Sequence, residues 1–306
     1  MDKSMNFDKK NKIITVLKEI SADDLGLTLP HEHLFTDLRG PVAPDYAEAD
    51  PIKVLSVMKP FLDEISKIGV NSFVECSTMG VGRNPKILKT LASNTDINII
   101  APTGVYREVY VPKEIRDMTV EALTDRWVKD LMVGIDGTNV RAGFIKMAVS
   151  DEGITPLEKK NMRAAANTSK ETGAVIACHT IGGKLAKNLI TLLEEYDHNL
   201  ERFIWTHAQS EPDMDYLIQA ADRGIYISID AIGSGWIPDE DMLGHTLAMI
   251  DAGFSQKILL SHDAGWYDPS QPDGKPAGQG IRGYTSLFRS YIPTLLSRGV
   301  MPEIID

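Results

Sequence analysis

Two histidines that flank a glutamate, His31-Glu32-His33, form the most informative chemical pattern in the chain. Successive side chains of a β-strand point to opposite faces, so a strand would place His31 and His33 together and turn Glu32 away. A helix would instead separate the two imidazoles by about 200°. The preceding run, Gly-Leu-Thr-Leu-Pro at 26–30, favours the strand. Two imidazoles on one face can hold one metal ion together.

The elements that must position such a site are short apolar runs rich in β-branched residues. They recur eight times, at 27–33, 70–76, 97–103, 141–146, 174–179, 202–207, 225–230 and 257–263. Amphipathic segments with helical spacing lie between them. The clearest are 51–67, 155–172, which opens with a capping-box pattern, and 213–222.

This alternation of strands and helices predicts parallel strands with crossover helices. About eight such units in a chain of 306 residues match an α/β fold of the (β/α)8 TIM barrel type, with a short N-terminal β extension. We expect one domain over residues 1–306. The competing fold is a doubly wound open sheet, but no Gly-x-Gly-x-x-Gly follows the first strand.

Polar side chains end most of the predicted strands. In a barrel the carboxyl ends of the strands share one rim, where catalytic groups are found. These ends carry His31, His33, Glu75, Thr103, Lys146, His179, His207, Asp230 and Asp263. Several imidazoles with carboxylates are the ligand set of Zn²⁺, Mn²⁺, Fe or Co. The sequence therefore predicts a metal site at this rim.

Composition narrows the function classes. The net charge of −11, without a basic block, argues against a nucleic-acid partner. No run of about 18 apolar residues is present, so we expect no membrane span. The charged N-terminus lacks the apolar core of a secretory signal, and both cysteines lie in apolar runs. These features favour a cytoplasmic protein.

Seven motifs, read in order, resemble the phosphotriesterase-like family of the amidohydrolase superfamily, over about residues 13–306. They are LTLPHEH, VECSTMGVGR, APTGVYRE, RAGFIKMAVS, FIWTHAQSEPD, YISIDAIG and LLSHDAGWYDP. The resemblance implies a barrel with two divalent metal ions, Zn or Mn, Co or Fe. It assigns His31, His33 and Asp263 to the more buried ion, and His179 and His207 to the more exposed one. It also implies that CO₂ carboxylates Lys146 at N6, so that the carbamate bridges both ions.

Two ions roughly 3.5–4 Å apart can generate a bridging hydroxide and polarise a substrate oxygen together. Asp263, beside that hydroxide, is the expected general base and proton donor. Asp230 resembles the family residue that passes the proton from the metal-bound aspartate to bulk solvent. Among residues with ordinary structural explanations, we expect His198 and His245 on the surface, His262 turned away from the metals, and Glu75 as a buried structural acid.

The same resemblance favours a lactonase, on sugar or phosphorylated sugar lactones, with weak phosphotriesterase side activity. Alternatives are an amide or other carboxylic-ester hydrolase and a true phosphotriesterase. A metal-binding protein without activity is the remaining class, but no ligand is lost here. The substrate is a small ester, lactone or phosphoester, and candidate substrate-binding residues are Tyr106, Arg107, Trp236, Trp266, Lys275 and Arg282.

Two expectations concern assembly and the chain end. Dimers are common in the family, so we expect a homodimer. The family usually continues with a further helix after the last barrel helix, whereas this chain stops at 301–306, where Pro302 resembles the first turn of such a helix. The C-terminal helix is therefore expected to be short or truncated.

Overall fold

The structure, a computed structural model, describes residues 12–278 and 280–305. The charged segment on which the expectation of no secretory signal rests lies largely outside these residues. An antiparallel hairpin opens the described chain, with β1 at Lys12–Ile14 and β2 at Glu19–Ser21. It confirms the predicted N-terminal β extension.

Ten parallel strands follow in the described part of the chain; each of the eight predicted apolar runs overlaps at least one, the run 97–103 contains two, and the last strand lies just after the run 257–263. They are β3 (Thr28–Phe35), β4 (Ser72–Glu75), β5 (Asn98–Ile100), β6 (Pro102–Thr103), β7 (Phe144–Ala148), β8 (Ile176–His179), β9 (Phe203–Thr206), β10 (Tyr226–Ile229), β11 (Ile258–Leu260) and β12 (Gly265–Tyr267). Hydrogen bonds order them as β12-β3-β4-β5 and β11-β10-β9-β8-β7-β6.

The two ladders close into one barrel. Only Ala101 separates β5 from β6, so a single extended segment pairs with β4 on one side and β7 on the other. At the other seam, the backbone N–H of Asp263 donates to the carbonyl of His31 at 3.3 Å, and that of His33 donates to Ala264 at 3.0 Å. The predicted (β/α)8 barrel is confirmed.

Helices surround the barrel. They are α1 (Pro51–Lys67), α2 (Pro85–Ala92), α3 (Lys113–Arg116), α4 (Val120–Met132), α5 (Pro156–Thr172), α6 (Gly183–Glu195), α7 (Met214–Asp222), α8 (Asp239–Asp251), α9 (Ile292–Ser297) and α10 (Pro302–Ile305). The predicted capping box of α5 is present, with Thr155 and Glu158 bonded reciprocally. Proline begins α10, as expected for Pro302. Among the described helices, none is both long enough and apolar enough to cross a bilayer.

Strand alternation divides the apolar side chains between two layers. The large cluster lies between the strands and the helices, and includes Phe73 and Trp205. A smaller cluster of Cys76, Ile100, Phe144 and Ala177 fills the barrel interior, and Ile13 of the hairpin packs against it. Polar side chains occupy the same interior faces closer to the carboxyl ends of the strands. The small apolar cluster therefore lies next to the candidate site, on the side of the amino ends of the strands.

Candidate metal centre and active site

Side chains alternate between the two faces of each barrel strand, and this alternation places the residues of the candidate site. In β7 the side chains of Ile145 and Met147 join the outer core, so Lys146 between them points into the barrel. In β8 the same rule turns Cys178 outward and His179 inward. Lys146 is fully buried, and His179 is half-buried at the rim. Predicted ligands from separate strands thus meet in one place.

The first group joins both histidines of the opening motif to the last strand. Nε2 of His33 lies 2.8 Å from Oδ1 of Asp263, and Nε2 of His31 lies 3.5 Å from the same oxygen. Nζ of Lys146 lies 3.3 Å from Nε2 of His31. His31, His33 and Asp263 place their donor atoms close enough to hold one metal ion, as predicted.

The second group is organised by Asp230, which follows β10. Its carboxylate accepts hydrogen bonds from Nδ1 of His31 at 2.8 Å and from Nδ1 of His207 at 2.7 Å. It also accepts from Gln209 Nε2 at 3.0 Å and from Ser228 Oγ at 2.9 Å. Because Asp230 occupies both Nδ1 atoms, the Nε2 atoms of the two histidines are left for a metal.

The other two histidines are oriented in the same way. Nδ1 of His33 lies 2.8 Å from Ser77 Oγ and 3.7 Å from Oε1 of Glu75, which leaves Nε2 facing Asp263. Nε2 of His179 lies 3.3 Å from Oδ1 of Asp151, which leaves Nδ1, 3.2 Å from the hydroxyl of Tyr106, as the nitrogen available to a metal. The rings of His179 and His207 pack with centroids 4.6 Å apart. Each of the four histidines therefore keeps one ring nitrogen available to a metal ion.

Lys146 is the group that most requires a bound ligand. Its side chain is buried, and within residues 12–278 and 280–305 no carboxylate lies within ion-pair distance of Nζ. A buried ammonium without a counter-charge is unfavourable, and this one faces an imidazole. A carbamate on Nζ would convert it into an anionic ligand. The donor set of four imidazoles, Asp263 and a modified Lys146 fits two divalent ions.

The electrostatics keep the carboxylates ionised. Partial burial would raise the pKa of Asp263, but the charge of His31 and the hydrogen bond with His33 lower it well below the usual range. Burial would lower the pKa of His33, but Asp263 and Glu75 raise it to about 9. Burial, followed by the charge of His207, lowers the pKa of His179 to about 4, so that its ring is neutral at pH 7.

Two candidate ligands have strained backbones. His207 has φ of 66° and Asp263 has φ of 50°, in the left-handed region that non-glycine residues rarely adopt. Such strain persists where the surrounding structure fixes it, and it concentrates at functional sites. Asp230 accepts from the backbone N–H of His207 at 3.1 Å, and Arg282 donates to the carbonyl of Asp263. These contacts hold the two strained residues in place.

Aromatic side chains form the mouth of the site. The ring of Trp266 lies 6.0 Å from His33, and the ring of Trp236 lies 5.7 Å from His207. The hydroxyl of Tyr106 lies 3.2 Å from Nδ1 of His179. Arg107 forms an ion pair with Asp151 at 2.8 Å. Four of the six predicted substrate-binding residues thus lie around the metal-ligand cluster.

The sequence model of the Phosphotriesterase family matches residues 11–306. The chain belongs to the phosphotriesterase family. Its curated relatives include the phosphotriesterase homology protein of Escherichia coli K12, which is 29% identical over 289 residues, covering 94% of this chain and 96% of the relative. The aryldialkylphosphatase of Saccharolobus solfataricus is 29% identical over 297 residues, covering 94% and 93%.

A solved structure superposes with a TM-score of 0.86 at 26% identity, covering 96% of both chains. It is described as organophosphate hydrolysis activity engineered from a weak promiscuous lactonase template. Family membership, these neighbours and the clustered His and Asp ligands make this chain a metal-dependent hydrolase with a TIM barrel.

For two predicted substrate contacts, Lys275 and Arg282, the structure shows contacts of another kind, and their role in binding substrate stays a prediction. Lys275 is exposed in a turn where its backbone N–H is capped by Asp273, and its ammonium has no hydrogen-bond partner among the described residues. Arg282 uses its guanidinium to donate to the backbone carbonyls of His262 and Asp263. Nη2 of Arg282, which makes both contacts, therefore supports the strand end.

The predicted proton relay through Asp230 stays a prediction, and the structure shows no direct contact between Asp230 and Asp263. Asp230 is fully buried, and its hydrogen bonds go to histidines and to Gln209 and Ser228, with none to Asp263. A carboxylate without solvent contact has no direct path for passing a proton to bulk water. Its position supports a different role, that of orienting His31 and His207.

Other expectations had mixed outcomes. His198 and His245 were expected on the surface, but both are buried, and burial lowers the pKa of each. His262 points away from the metal ligands, as predicted, with Nδ1 2.6 Å from Glu32. Glu75 is a buried acid whose oxygens accept from the backbone of Leu34 and Ser77.

Three residues that contact candidate ligands or the loops of the rim were missed, namely Asp151, Glu158 and Ser77. Asp151 carried a usable signal, because it follows β7 at the same rim as the predicted ligands. Glu158 was identified only as the partner in a capping box, and its contacts with two rim loops have no local sequence pattern. Ser77 is a small polar residue after β4, and nothing in the sequence distinguishes it from other loop serines.

Proposed function

We propose that this protein is a lactonase that uses two divalent metal ions. His31, His33 and Asp263 would hold the more buried ion, His179 and His207 the more exposed one, and N6-carboxylated Lys146 both. The observation that carries the proposal is the cluster of donor atoms from His31, His33 and Asp263 beside buried Lys146, whose Nζ lies 3.3 Å from Nε2 of His31. When bound, two such ions activate water and polarise a carbonyl oxygen.

Asp263 is the group suited to move the proton. Its pKa is lowered, so it is ionised and able to accept a proton from the attacking water. Its side chain is 32% exposed, which gives an oxygen access to substrate. The same carboxyl group can then protonate the alkoxide that leaves when the lactone ring opens.

The mouth of the site favours a compact, uncharged ester. Trp236 and Trp266 stand beside the two histidine groups, and a lactone ring can lie between these apolar surfaces. Arg107 is neutralised by Asp151, so the rim offers no free cation from this pair. Burial raises the pKa of Tyr106 far above neutrality, and its hydroxyl stays protonated and able to donate to a carbonyl oxygen.

The experiment is a substrate panel with a pH-indicator readout, on protein reconstituted with Zn²⁺ or Mn²⁺. The panel contains plain γ- and δ-lactones, a phosphorylated sugar lactone, a phosphotriester and an N-acyl amide. We expect the best plain lactone to exceed the phosphotriester about a hundredfold in kcat/KM. A phosphotriester or amide that ranks first would overturn the lactonase assignment while leaving the hydrolase class intact.

A phosphotriesterase is the second candidate. The aryldialkylphosphatase relative is one reason; the other is that the same ligands and Asp263 would serve attack at phosphorus.

The predicted homodimer and cytoplasmic location stay predictions. Light scattering of the purified protein would test the dimer.

A further inference from the structure

Asp151 connects a candidate metal ligand to the neighbouring rim loop, since β6 pairs with β7. It follows β7, and its Oδ1 lies 3.3 Å from Nε2 of His179. Its other oxygen, Oδ2, accepts from Nη1 of Arg107 at 2.8 Å. One carboxylate therefore joins the loop after β7 to the loop after β6, with His179 beneath the contact.

Arg107 is held on its own side by two aromatic rings. Its guanidinium lies 6.0 Å from the ring of Tyr106 and 5.9 Å from that of Tyr110. The hydroxyl of Tyr106 returns to Nδ1 of His179 at 3.2 Å. Asp151, Arg107 and Tyr106 thus form a closed set of contacts around one imidazole.

Glu158 fixes the backbone of both loops. Its side chain is buried at the start of α5, and Oε1 accepts from the backbone N–H groups of Glu108 and Ser150, each at 3.0 Å. Glu108 is the neighbour of Arg107, and Ser150 is the neighbour of Asp151. The side chains of Arg107 and Asp151 are 30% and 40% exposed, and an ion pair this exposed stabilises a protein little by itself. Because buried Glu158 holds the backbone beside both residues, the pair loses much of its conformational freedom.

The contact with Asp151 determines which nitrogen of His179 is free. A neutral imidazole carries one N–H and one lone pair, and a carboxylate at Nε2 selects the tautomer with hydrogen on Nε2. The lone pair is then on Nδ1, where the hydroxyl of Tyr106 lies 3.2 Å away. We propose that Asp151 is a positioning residue that fixes the tautomer of His179 and thereby sets the affinity of one of the two metal ions, with Arg107 holding Asp151 in place. This inference rests on the metal centre of the proposed function.

Metal titration of the metal-free protein tests the inference without reference to catalysis. Zn²⁺ binding is followed by competition with a chromophoric chelator for wild type, Asp151→Ala and Asp151→Asn. Glu240→Ala, which removes an exposed carboxylate paired with Arg298, is the matched control. We expect Asp151→Ala to weaken one Zn²⁺ site about tenfold to a hundredfold and to leave the other unchanged.

Asp151→Asn should recover most of the lost affinity, because the amide oxygen still accepts from Nε2–H. Arg107→Gln should weaken the same site less, and should add nothing in the Asp151→Ala background. Unchanged affinities in Asp151→Ala, or equal weakening of both sites, would overturn the inference. Failure of wild type to bind two ions would instead contradict the metal centre itself, so the two failures are distinguishable.

Discussion

Oε1 of Glu32 lies 2.6 Å from Nδ1 of His262, across the seam where the first strand of the barrel meets the last. Both side chains are buried, and the Glu32 carboxylate also accepts from Ser261 Oγ and from the backbone N–H groups of His262 and Ala264, each at 2.9 Å. The middle residue of His-Glu-His therefore closes the barrel from the outside, while its two neighbours supply metal ligands on the inside.

This arrangement predicts a large loss of stability in Glu32→Ala. The substitution leaves buried donors of Ser261, His262 and Ala264 without an acceptor, at a cost of about 3 kcal/mol or more in the free energy of unfolding. Urea unfolding measures the change. Glu32→Gln, which keeps one acceptor oxygen, should lose less. An unfolding midpoint of Glu32→Ala equal to that of wild type would show that the seam does not depend on this carboxylate.

Asp230→Asn should weaken metal binding without unfolding the protein. The amide cannot accept hydrogen from both His31 and His207 as the carboxylate does, so at least one imidazole loses its orientation. We expect metal affinity to fall about tenfold to a hundredfold, measured by chelator competition. Ser228→Ala, which removes one donor to Asp230, is a milder control. Wild-type affinity in Asp230→Asn would contradict the orienting role.

Lys146→Ala should lose bound metal and activity together, because no other described residue supplies an anion at that position. Lys146→Glu provides a carboxylate directly and should retain part of both. Short carboxylic acids added with metal should partly restore Lys146→Ala. Metal content and lactone turnover are the measurements. An alanine variant that keeps two ions would remove Lys146, and with it the carbamate, from the ligand set.

His198 predicts a pH dependence of stability that is separate from the metal centre. Burial lowers its pKa to about 4 in the folded protein, against an ordinary value of 6.5. The unfolded chain binds this proton more readily, so the contribution is complete above pH 6.5 and is lost as the pH falls towards 4. The loss amounts to at most about 3 kcal/mol. His198→Leu should flatten the slope of unfolding free energy over this range, and identical slopes would contradict the assignment.

Much of the candidate site can be predicted from the alternation of side chains along the strands. The positions of His31, His33, Lys146 and His179 on interior faces needed only a correct assignment of strands. The contacts that hold these residues were less accessible, because they join elements distant in sequence. The hydrogen bonds of Glu158 with the backbones of Glu108 and Ser150 have no local pattern.

What the sequence did not indicate also depends on contacts between distant elements. Arg282 was predicted to bind substrate from its charge alone, and its contacts with two backbone carbonyls could not be foreseen because they depend on the fold. His198 and His245 were placed on the surface because their neighbours in sequence are polar. Their burial depends on which side of a turn or helix meets the core, and α8 has too weak an apolar pattern to indicate it.

The most direct test is to titrate metal-free protein with Mn²⁺ while following the hydrolysis of its best lactone. The proposed centre predicts negligible turnover without metal and a rise that levels off at two ions per chain. Turnover that persists in the metal-free protein, or that is complete at one ion, would contradict a binuclear hydrolase built on His31, His33, Lys146, His179, His207 and Asp263.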